Sequence, residues 1–553
     1  MKKSFKIISL AAVMLFSGQM YAQNKDIYTG IEFKMPQVKE TSFPANTVSI
    51  KDFGGVAGGK VKNTEAFKKA IDALVKKGGG KLVVPRGMWL TGPIVLQSNI
   101  NLHIEEGAFV VFSKDKNDYP LVDVSFEGLE TIRCQSPISA KNAKNIAITG
   151  KGVIDGSGDA WRAIKKSKMA ESQWKEIVRS GGILSKDGKN WYPSESYKKG
   201  FESSSSFNVP DKISKSELES VKDFLRPVMV SIVGCDQVLL DGPTFQNSPA
   251  WNLHPLMTSN LILRNLTVRN PWYSQNGDGV DLESCKNVLI YDNTFDVGDD
   301  AICIKSGKNE DGRKRGMPTE NVIIKNNVVY HGHGGFVIGS EMSGGARNIH
   351  VSDCTFIGTD IGLRFKTTRG RGGIVENIYV KNIDMINIPT QTIGFNMFYE
   401  GASPVLEDGQ KEEGNKAPEK VYPVTEETPI FRNIYFKNIN AVNSDEAITI
   451  NGLAEMNIKN IVIEDSQFDT KKALTIVDAD GITLKNVKLT YSEGTGAVVY
   501  NSKNVDLSTL QLQSSQKPTI KVLGNKTSAV KLPKEVKGEQ LIISKEVAKN
   551  AVK

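Results

Sequence analysis

NGDGVD at residues 276–281, VGDDAICIKSG at 297–307, HGHGGFVIGS at 331–340 and GLRFKTT at 362–368 are the stretches that decide the fold. Each follows a run that starts with Asn and is rich in β-branched residues. These runs start at Asn260, Asn287, Asn321, Asn348 and Asn377, so the period is 27 to 34 residues. Short strands and Asn/Gly turns repeated at this period are typical of a solenoid. Each repeat of a solenoid buries its apolar face only against its neighbours.

Alignment of the second strand of each repeat separates two faces, because side chains alternate along a strand. Gly279, Ala301, Gly335 and Gly362 share the first position. We expect one parity to point inward, namely Val280, Leu282, Ile302, Ile304, Phe336, Ile338, Leu363 and Phe365. The outer parity carries Asp299, Cys303, Lys305, His333, Arg364 and Lys366. Asp299 and His333 fall in one column, and Asp278 and Asp300 fall in the next. The alignment therefore predicts one surface with several carboxylates beside a basic pair.

The sequence predicts an all-β chain with a small helical cap at its N-terminal end. We interpret residues 1–22 as a secretory signal peptide, 23–45 as a linker, 46–110 as the cap and first coils, 111–525 as the solenoid and 526–553 as a tail. A helix from Asn63 to Lys77 would cover the open edge of the first coil. Two insertions interrupt the repeats, at about 157–226 and 403–429. The first carries Trp161, Trp174 and Trp191, and we expect it to be an ordered flap that faces the substrate or only covers the solenoid.

Charge and cysteine content exclude several classes of function. The net charge of +8 is mild and is compatible with a polyanionic substrate. A signal peptide and the lack of a dense Lys/Arg stripe argue against nucleic acid as a partner. No stretch is long enough for a stable membrane span, and we expect an exported monomer in the periplasm, on the cell surface or outside the cell. Five scattered cysteines, without a CxxC pair, predict neither a disulfide scaffold nor a zinc site.

The aspartates suit glycoside hydrolysis, in which one carboxyl donates a proton to the glycosidic oxygen and another activates water. Two adjacent carboxylates resist joint ionisation, so we expect a raised pKa for one member of the Asp299–Asp300 pair. Arg364 and Lys366 suit a substrate carboxylate. Taken singly, each residue is explained better by turn chemistry or by surface solubility than by function, and it is their shared position on one face over four consecutive repeats that favours a site. A calcium site made of the same aspartates, as in β-helix polysaccharide lyases, is the competing interpretation.

At these residues the chain resembles glycoside hydrolase family 28, the polygalacturonase family. The four signatures of that family are Asn-x-Asp, Gly-Asp-Asp, Gly-His-Gly and Arg-x-Lys. They are matched by Asn276-Gly277-Asp278, Gly298-Asp299-Asp300, Gly332-His333-Gly334 and Arg364-Phe365-Lys366. The resemblance implies a single-stranded, right-handed parallel β-helix that hydrolyses α-1,4-galacturonide bonds of polygalacturonate with inversion. It implies neither a cofactor nor a metal ion.

The resemblance also implies a role for each motif residue. Asp299 is expected to be the general acid, supported by His333, while Asp278 and Asp300 hold and activate the water. Arg364 and Lys366 are expected to bind galacturonate carboxylates beside the cleaved bond. By position, we expect further groove residues at Lys305, His254, Glu341, Arg369 and Arg371. Cleavage of rhamnogalacturonan is an alternative within the family, although that branch tends to lack the histidine and the Arg-x-Lys pair.

The stretches at 306–322 and 339–345 resemble those of bacterial exo-acting members. This resemblance predicts a groove that is closed at one end, and the 157–226 insertion is the candidate for closing it. A solenoid that only binds pectin, without catalysis, is the remaining alternative from a different class of protein.

Overall fold

The computed structural model describes residues 27–204, 208–210, 212–399, 421–515 and 517–553. The chain winds into a parallel β-helix, and each coil contributes strands to three parallel sheets that run along the rod. The strand connections have the right-handed sense that parallel crossovers adopt. The predicted fold class is confirmed.

The three sheets have the following strands. Sheet 1 contains Ile94–Val95, Ile138–Lys141, Val230–Val233, Leu253–Leu256, Val280–Glu283, Asp300–Lys305, Gly334–Ile338, Ile361–Lys366, Gln391–Asn396, Ala497–Tyr500, Ile520–Leu523 and Leu541–Ile543. Sheet 2 contains Thr47–Ser49, Gly80–Val84, Ile100–Ile104, Lys144–Gly150, Asp236–Asp241, Ser259–Arg264, Lys286–Tyr291, Thr319–Lys325, Lys503–Asp506 and Ser528–Lys531. Sheet 3 contains Gly87–Thr91, Ala108–Phe112, Val153–Asp155, Thr244–Gln246, Thr267–Arg269, Thr294–Asp296, Val328–Val329 and Gln511–Ser514. Longer strands bend from one sheet into the next at Ala346–Ile357, Ile374–Ile386, Ile430–Asn451, Ile458–Val477 and Ala479–Tyr491.

The recurring asparagines mark the turn that opens each strand of sheet 2. Asn260, Asn287, Asn321 and Asn348 all have φ between 54° and 58°, a left-handed conformation that Asn tolerates better than most residues. Their side chains also form a ladder along the rod. The amide of Asn321 donates to Asn287 at 3.2 Å, and that of Asn348 donates to Asn321 at 3.2 Å. Both the backbone and the side chain therefore favour Asn once per coil.

The core lies inside the rod, and the predicted inward residues all belong to it. Val280 aligns with Ile302, Ile302 with Phe336, and Phe336 with Leu363 along sheet 1, as the sequence alignment predicts. Two residues further along the strand, at the next inward position, Phe365 stacks on Phe395 with ring centres 4.4 Å apart and the rings nearly parallel. Consecutive coils therefore interdigitate, and each coil depends on the next for burial of its apolar side chains.

The N-terminal cap and the residues before it pack on the first coils and along sheet 2. The cap helix spans Thr64–Lys76, within one residue of the predicted bounds at each end. Residues 27–45 do not form a free linker, which corrects that prediction for the described part. Ile27 and Val38 pack on the outer face of sheet 2, and Glu32 lies 2.5 Å from His350. Sheet 2 has an apolar outer face here, so the segment buries it.

The two insertions and the C-terminal end differ from the predictions in part. The first insertion contains helices Glu171–Arg179 and Glu195–Glu202, a 3-10 segment Lys215–Phe224 and short strands at Ile164–Lys165, Ile183–Leu184 and Asn190–Tyr192. Its three tryptophans are buried: Trp174 and Trp191 lie in one apolar cluster, and Trp161 packs against Tyr119, outside the insertion, with ring centres 5.2 Å apart. Residues 403–420 of the second insertion, and the predicted signal peptide, lie outside the described residues. The expected tail contributes strands to sheets 1 and 2 and therefore closes the rod.

Two further features were not predicted. An antiparallel hairpin, here called the 121–134 hairpin, is formed by strands Leu121–Phe126 and Leu129–Cys134 and projects from the rod. A short helix, Asn309–Arg315, follows the sheet 1 strand that starts at Asp300. All five cysteines are buried and free. Among the described residues, none of the helices is long and apolar enough to cross a membrane.

Candidate active site

Consecutive strands of sheet 1 bring the motif residues together. Asp300 aligns with Gly334, so Asp299 and His333 occupy one column of neighbouring coils. Val280 aligns with Ile302, so Asp278 and Asp300 occupy the next column. The predicted columns are therefore present in the structure. By strict alternation Asp300 would point inward with Ile302, but it opens its strand and its carboxylate reaches the outer face instead.

Three carboxylates meet at the centre of this surface. Oxygen atoms of Asp278, Asp299 and Asp300 all lie within 4.8 Å of one another. Asp278 and Asp300 are almost fully buried, whereas the side chain of Asp299 is 20% exposed. Such a cluster is stable only if cations or protons compensate its charge.

Asp299 is compensated mainly by His333, which the sequence paired with it. His333 Nδ1 lies 3.0 Å from Asp299 Oδ1, and Asp360 lies 3.7 Å from the other ring nitrogen. Burial lowers the pKa of His333, but the charges of Asp299, Asp300 and Asp360 outweigh burial and raise it above its ordinary value. Burial raises the pKa of Asp299, but His333, Lys366 and Arg364 outweigh burial and hold it below its ordinary value.

Asp300 is compensated by the basic pair. Lys366 Nζ donates to Asp300 Oδ2 at 2.7 Å, and Arg364 donates to Oδ1 at 3.2 Å. Burial raises the pKa of Asp300, but these two cations outweigh burial and lower it. The prediction of a raised pKa within the Asp299–Asp300 pair is therefore wrong for the substrate-free protein. The reason is that the attraction of the two carboxylates to Arg364, Lys366 and His333 outweighs the repulsion between the carboxylates.

The raised pKa values belong instead to Asp278 and Asp281. Burial, followed by the charges of neighbouring aspartates, raises both pKa values well above the ordinary value. Lys305 is the nearest cation to Asp281, at 3.6 Å, and it also contacts Glu341 at 2.8 Å. Asp278 Oδ1 and both carboxylate oxygens of Asp281 are buried and have no hydrogen-bond partner within the described ranges. A bound ligand or a proton can satisfy such oxygens.

The other predicted groove residues lie in this neighbourhood, but protein groups already engage them. His254 is buried and lies 2.8 Å from Glu283. Lys305 and Glu341 bind each other, and Lys305 lies 4.9 Å from the centre of the Trp251 ring. These contacts suit residues that position the site rather than groups that are free to bind a substrate.

The two predicted arginines show the same pattern. Arg371 is buried and bonds to Ser340 and Asn309. Arg369 forms a two-pronged pair with Glu455, with distances of 2.5 and 2.9 Å. Neither arginine presents a free guanidinium group to the surface that carries the three aspartates.

The sequence alignment missed three residues of the site. Asp281 and Glu283 lie on the outer parity of their strand, so alternation alone could have identified them. Tyr399 lies with its ring centre 5.0 Å from Lys366 Nζ and 5.9 Å from the Arg364 guanidinium carbon. It follows a strand of sheet 1 by three residues, and no motif marks it in the sequence. Together with Gln391 and Asn396, Tyr399 lines a cavity of about 80 Å³ beside the basic pair.

The three aspartates are also the residues that could hold a divalent cation. Calcium requires six to eight oxygen ligands. Both oxygens of Asp300 already accept hydrogen bonds from cations, and one oxygen of Asp299 faces His333. The donor set therefore fits proton transfer and binding of an anionic substrate better than it fits calcium.

Comparisons with known proteins agree on one family. The profile described as "Glycosyl hydrolases family 28" matches residues 169–413. The crystal structure of a hyperthermoactive exopolygalacturonase from Thermotoga maritima is 31% identical, with a TM-score of 0.65. That match covers 84% of this chain and 95% of that one. A probable polygalacturonase from Vitis vinifera is 28% identical over 79% of this chain and 78% of its own length. An exo-poly-alpha-D-galacturonosidase from Dickeya chrysanthemi is 28% identical over 65% of this chain and 58% of its own length.

Proposed function

Since this chain belongs to the glycosyl hydrolases of family 28, we propose that it hydrolyses the α-1,4-galacturonide bonds of polygalacturonate. The observation that carries the proposal is the meeting of Asp278, Asp299 and Asp300 beside the cations of Arg364 and Lys366. Carboxyl groups supply acid and base for glycoside hydrolysis. The cations suit the carboxylate that each galacturonate unit carries.

In the proposed reaction Asp299 gives its proton to the glycosidic oxygen as the bond to the anomeric carbon breaks. A water molecule held by Asp278 and Asp300 attacks that carbon and transfers a proton to the pair. Asp300 is a better acceptor for water than a nucleophile, because both of its oxygens already accept hydrogen bonds from cations. The products are a shortened chain and a free uronate; the pair then releases its proton to solvent, and the acid takes up one proton in return.

The proton for Asp299 is explained by its partner. In the free protein the low pKa of Asp299 and the raised pKa of His333 place one proton on the histidine side of the pair. A bound galacturonate carboxylate would attract Lys366 and Arg364, and this weakens their hold on the Asp299 charge. The pKa of Asp299 then rises, and the proton can move from His333 to the acid.

Inversion is part of the proposal, although the spacing alone does not predict it. Inverting glycosidases commonly separate their carboxyl groups by about 6.5 to 9.5 Å, and retaining ones by about 5 to 5.5 Å. The oxygens of the present cluster lie closer than either range. We infer inversion from the family resemblance and from the bonded state of Asp300, so the configuration of the product is a direct test.

We propose exo action, with the 121–134 hairpin and the first insertion closing one end of the groove. The contact that supports this is Asn208 of the first insertion, which joins Glu127 of the hairpin to Asn276, two residues before Asp278. Beyond Arg364 and Lys366, polar side chains of sheet 1 continue the groove toward the C-terminus, including Asn396 and Asn451. A chain with its terminal unit against the closed end would lose one unit at each cleavage.

Polygalacturonate or oligogalacturonide is the proposed partner, and we propose that the enzyme is exported and acts as a monomer without nucleic acid. The test is digestion of de-esterified polygalacturonate in the presence of EDTA. New reducing ends without ultraviolet absorbance from an unsaturated product would support a metal-independent hydrolase. An unsaturated product whose formation EDTA stops would instead indicate a calcium-dependent lyase. No product at all would favour a solenoid that only binds pectin.

A further inference from the structure

The tip of the 121–134 hairpin is held on two sides by residues that flank strands of sheet 1. Its tip is Glu127-Gly128, and both residues have positive φ, 50° and 72°, as a two-residue hairpin turn requires. On one side the amide N–H of Lys308 donates to the Gly128 carbonyl at 3.0 Å. On the other side Asn208 Nδ2 donates to Glu127 Oε1 at 2.6 Å and to Asn276 Oδ1 at 2.9 Å.

These two anchors join the tip to the segments that flank the strands of the carboxylates. Asn276 lies two residues before Asp278, and Lys308 lies three residues after Lys305. A side chain at Gly128 would meet the Lys308 amide nitrogen at 2.5 Å, so the tip and the loop after Lys305 are in close contact. The tip is therefore tied both to the segment that precedes Asp278 and to the segment that follows Lys305.

The hairpin is a fixed wall, because its stem is tied into the insertion. Arg133 is fully buried, and its guanidinium donates to the carbonyls of Arg226 at 2.6 Å, Asn208 at 2.8 Å and Phe224 at 3.3 Å. The same guanidinium stacks on Phe126 at 3.9 Å. Bonds from one planar group to three carbonyls fix the orientation of the stem.

Glu127 has one oxygen whose partner is missing. Its Oε1 accepts from Asn208, but its Oε2 is buried and has no hydrogen bond to any of the described residues. Buried carboxylate oxygens are nearly always satisfied, because an unpaired one is costly. A donor that arrives with the substrate would remove this cost.

We propose that Glu127 recognises the terminal unit of the polysaccharide by accepting a hydrogen bond from its free hydroxyl group. The inference rests on the proposed function. A terminal unit has a hydroxyl at the position where an internal unit has a glycosidic oxygen, and only the hydroxyl can donate a hydrogen bond. The hairpin tip occupies the space that the next unit of an internal segment would need. Glu127 thus selects chain ends, and the bond beyond the first unit lies at Asp299.

The test uses a galacturonate trimer and two analogues of it. One analogue lacks the 4-hydroxyl of the non-reducing end, and the other has its reducing-end hydroxyl blocked as a methyl glycoside. The wild-type enzyme should cleave one of the two analogues with a kcat/KM about 10- to 100-fold below that of the trimer. The analogue that is cleaved slowly identifies the end that enters the closed pocket.

Two variants and a control connect this discrimination to Glu127. Glu127→Ala should reduce the discrimination to within about twofold by slowing the trimer rather than by accelerating the analogue. Glu127→Gln keeps the volume and replaces the free acceptor by an amide donor, so it decides the question if the alanine variant does not fold. Asp123→Ala removes an exposed carboxylate from the same hairpin and should discriminate as the wild type does.

Equal cleavage of all three substrates by the wild type, or full discrimination by both Glu127 variants, would overturn the inference. Hydrolysis of the unmodified trimer by the wild type is measured first and reports on the proposed function alone. If the trimer is cleaved and Glu127 has no influence, the hydrolase assignment remains and the role of Glu127 falls. If the trimer is not cleaved, both are overturned.

Discussion

Replacement of Asp299 by Asn is the change that most directly probes the division of roles among the three aspartates. Asn has the same size, so the packing around Gly298 and Asp300 is preserved, but it cannot donate a carboxyl proton. General acid catalysis contributes about 10²- to 10⁴-fold to a rate, and we expect kcat on polygalacturonate to fall by that factor. KM should change little, because the proposed substrate-binding cations, Arg364 and Lys366, are held by Asp300 and not by Asp299.

The leaving group separates loss of the acid from general damage to the site. A nitrophenyl galacturonide releases a stable phenolate that needs little protonation. On this substrate the fall in kcat caused by Asp299→Asn should be less than about tenfold. Asp300→Asn is the matched control, because water activation is required for either leaving group and its loss should be similar on both substrates. The assay compares kcat for three proteins on two substrates.

The role of Asp299 as the general acid is refuted if Asp299→Asn keeps a kcat within tenfold of the wild type on polygalacturonate. That role is also refuted if the variant loses kcat by the same factor on both substrates, because Asp299 would then act on the water and not on the leaving group. The raised pKa of Asp278 makes that residue the alternative acid. In that case Asp278→Asn would be the variant whose kcat falls strongly on polygalacturonate and weakly on the nitrophenyl galacturonide.

Three further outcomes follow from the same contacts. Lys366→Ala should raise KM for oligogalacturonides about 10- to 100-fold by removing a charge-assisted hydrogen bond to the substrate carboxylate. KM for a methyl-esterified substrate should change little. An unchanged KM for oligogalacturonides would contradict binding of the substrate carboxylate by Lys366. Because the pKa of His333 is raised, its proton is present at low pH and lost as pH rises, so kcat/KM should decline only above about pH 6.5, and His333→Gln should abolish that limb. Phe365→Ala should lower the free energy of unfolding by about 3 to 5 kcal/mol, seen as a lower denaturant midpoint, because Phe365 stacks on Phe395 in the core; a loss below about 1 kcal/mol would contradict that packing.

The parts of the fold that repeat could be predicted from the sequence. Alternation along the strands identified the inward residues, and the recurring Asn predicted turns that the backbone and an amide ladder explain. The columns that join Asp299 to His333 followed from register alone. A repeat is informative because every coil repeats the same packing constraint.

Features without a repeat were not predictable in this way. The 121–134 hairpin depends on contacts with residues far away in the chain, such as Asn208 and Lys308, and a local pattern carries no record of them. Residues 23–45 were interpreted as a linker, although the described part, residues 27–45, packs on sheet 2 through contacts with residues far away in the chain. The electrostatics of the site also required distances. Alignment placed Lys366 near the aspartates, but only the 2.7 Å contact with Asp300 shows how Lys366 outweighs burial and lowers the pKa of that residue.

The anomeric configuration of the first product is the most direct test of the proposed roles, in which water held by Asp278 and Asp300 attacks while Asp299 protonates the leaving group. Proton NMR in the first minutes of digestion of a galacturonate trimer distinguishes the two anomers before they equilibrate. We expect the β anomer to appear first from the α-linked substrate. Initial appearance of the α anomer would mean that one of these carboxylates acts as a nucleophile, and the assignment of roles would be wrong.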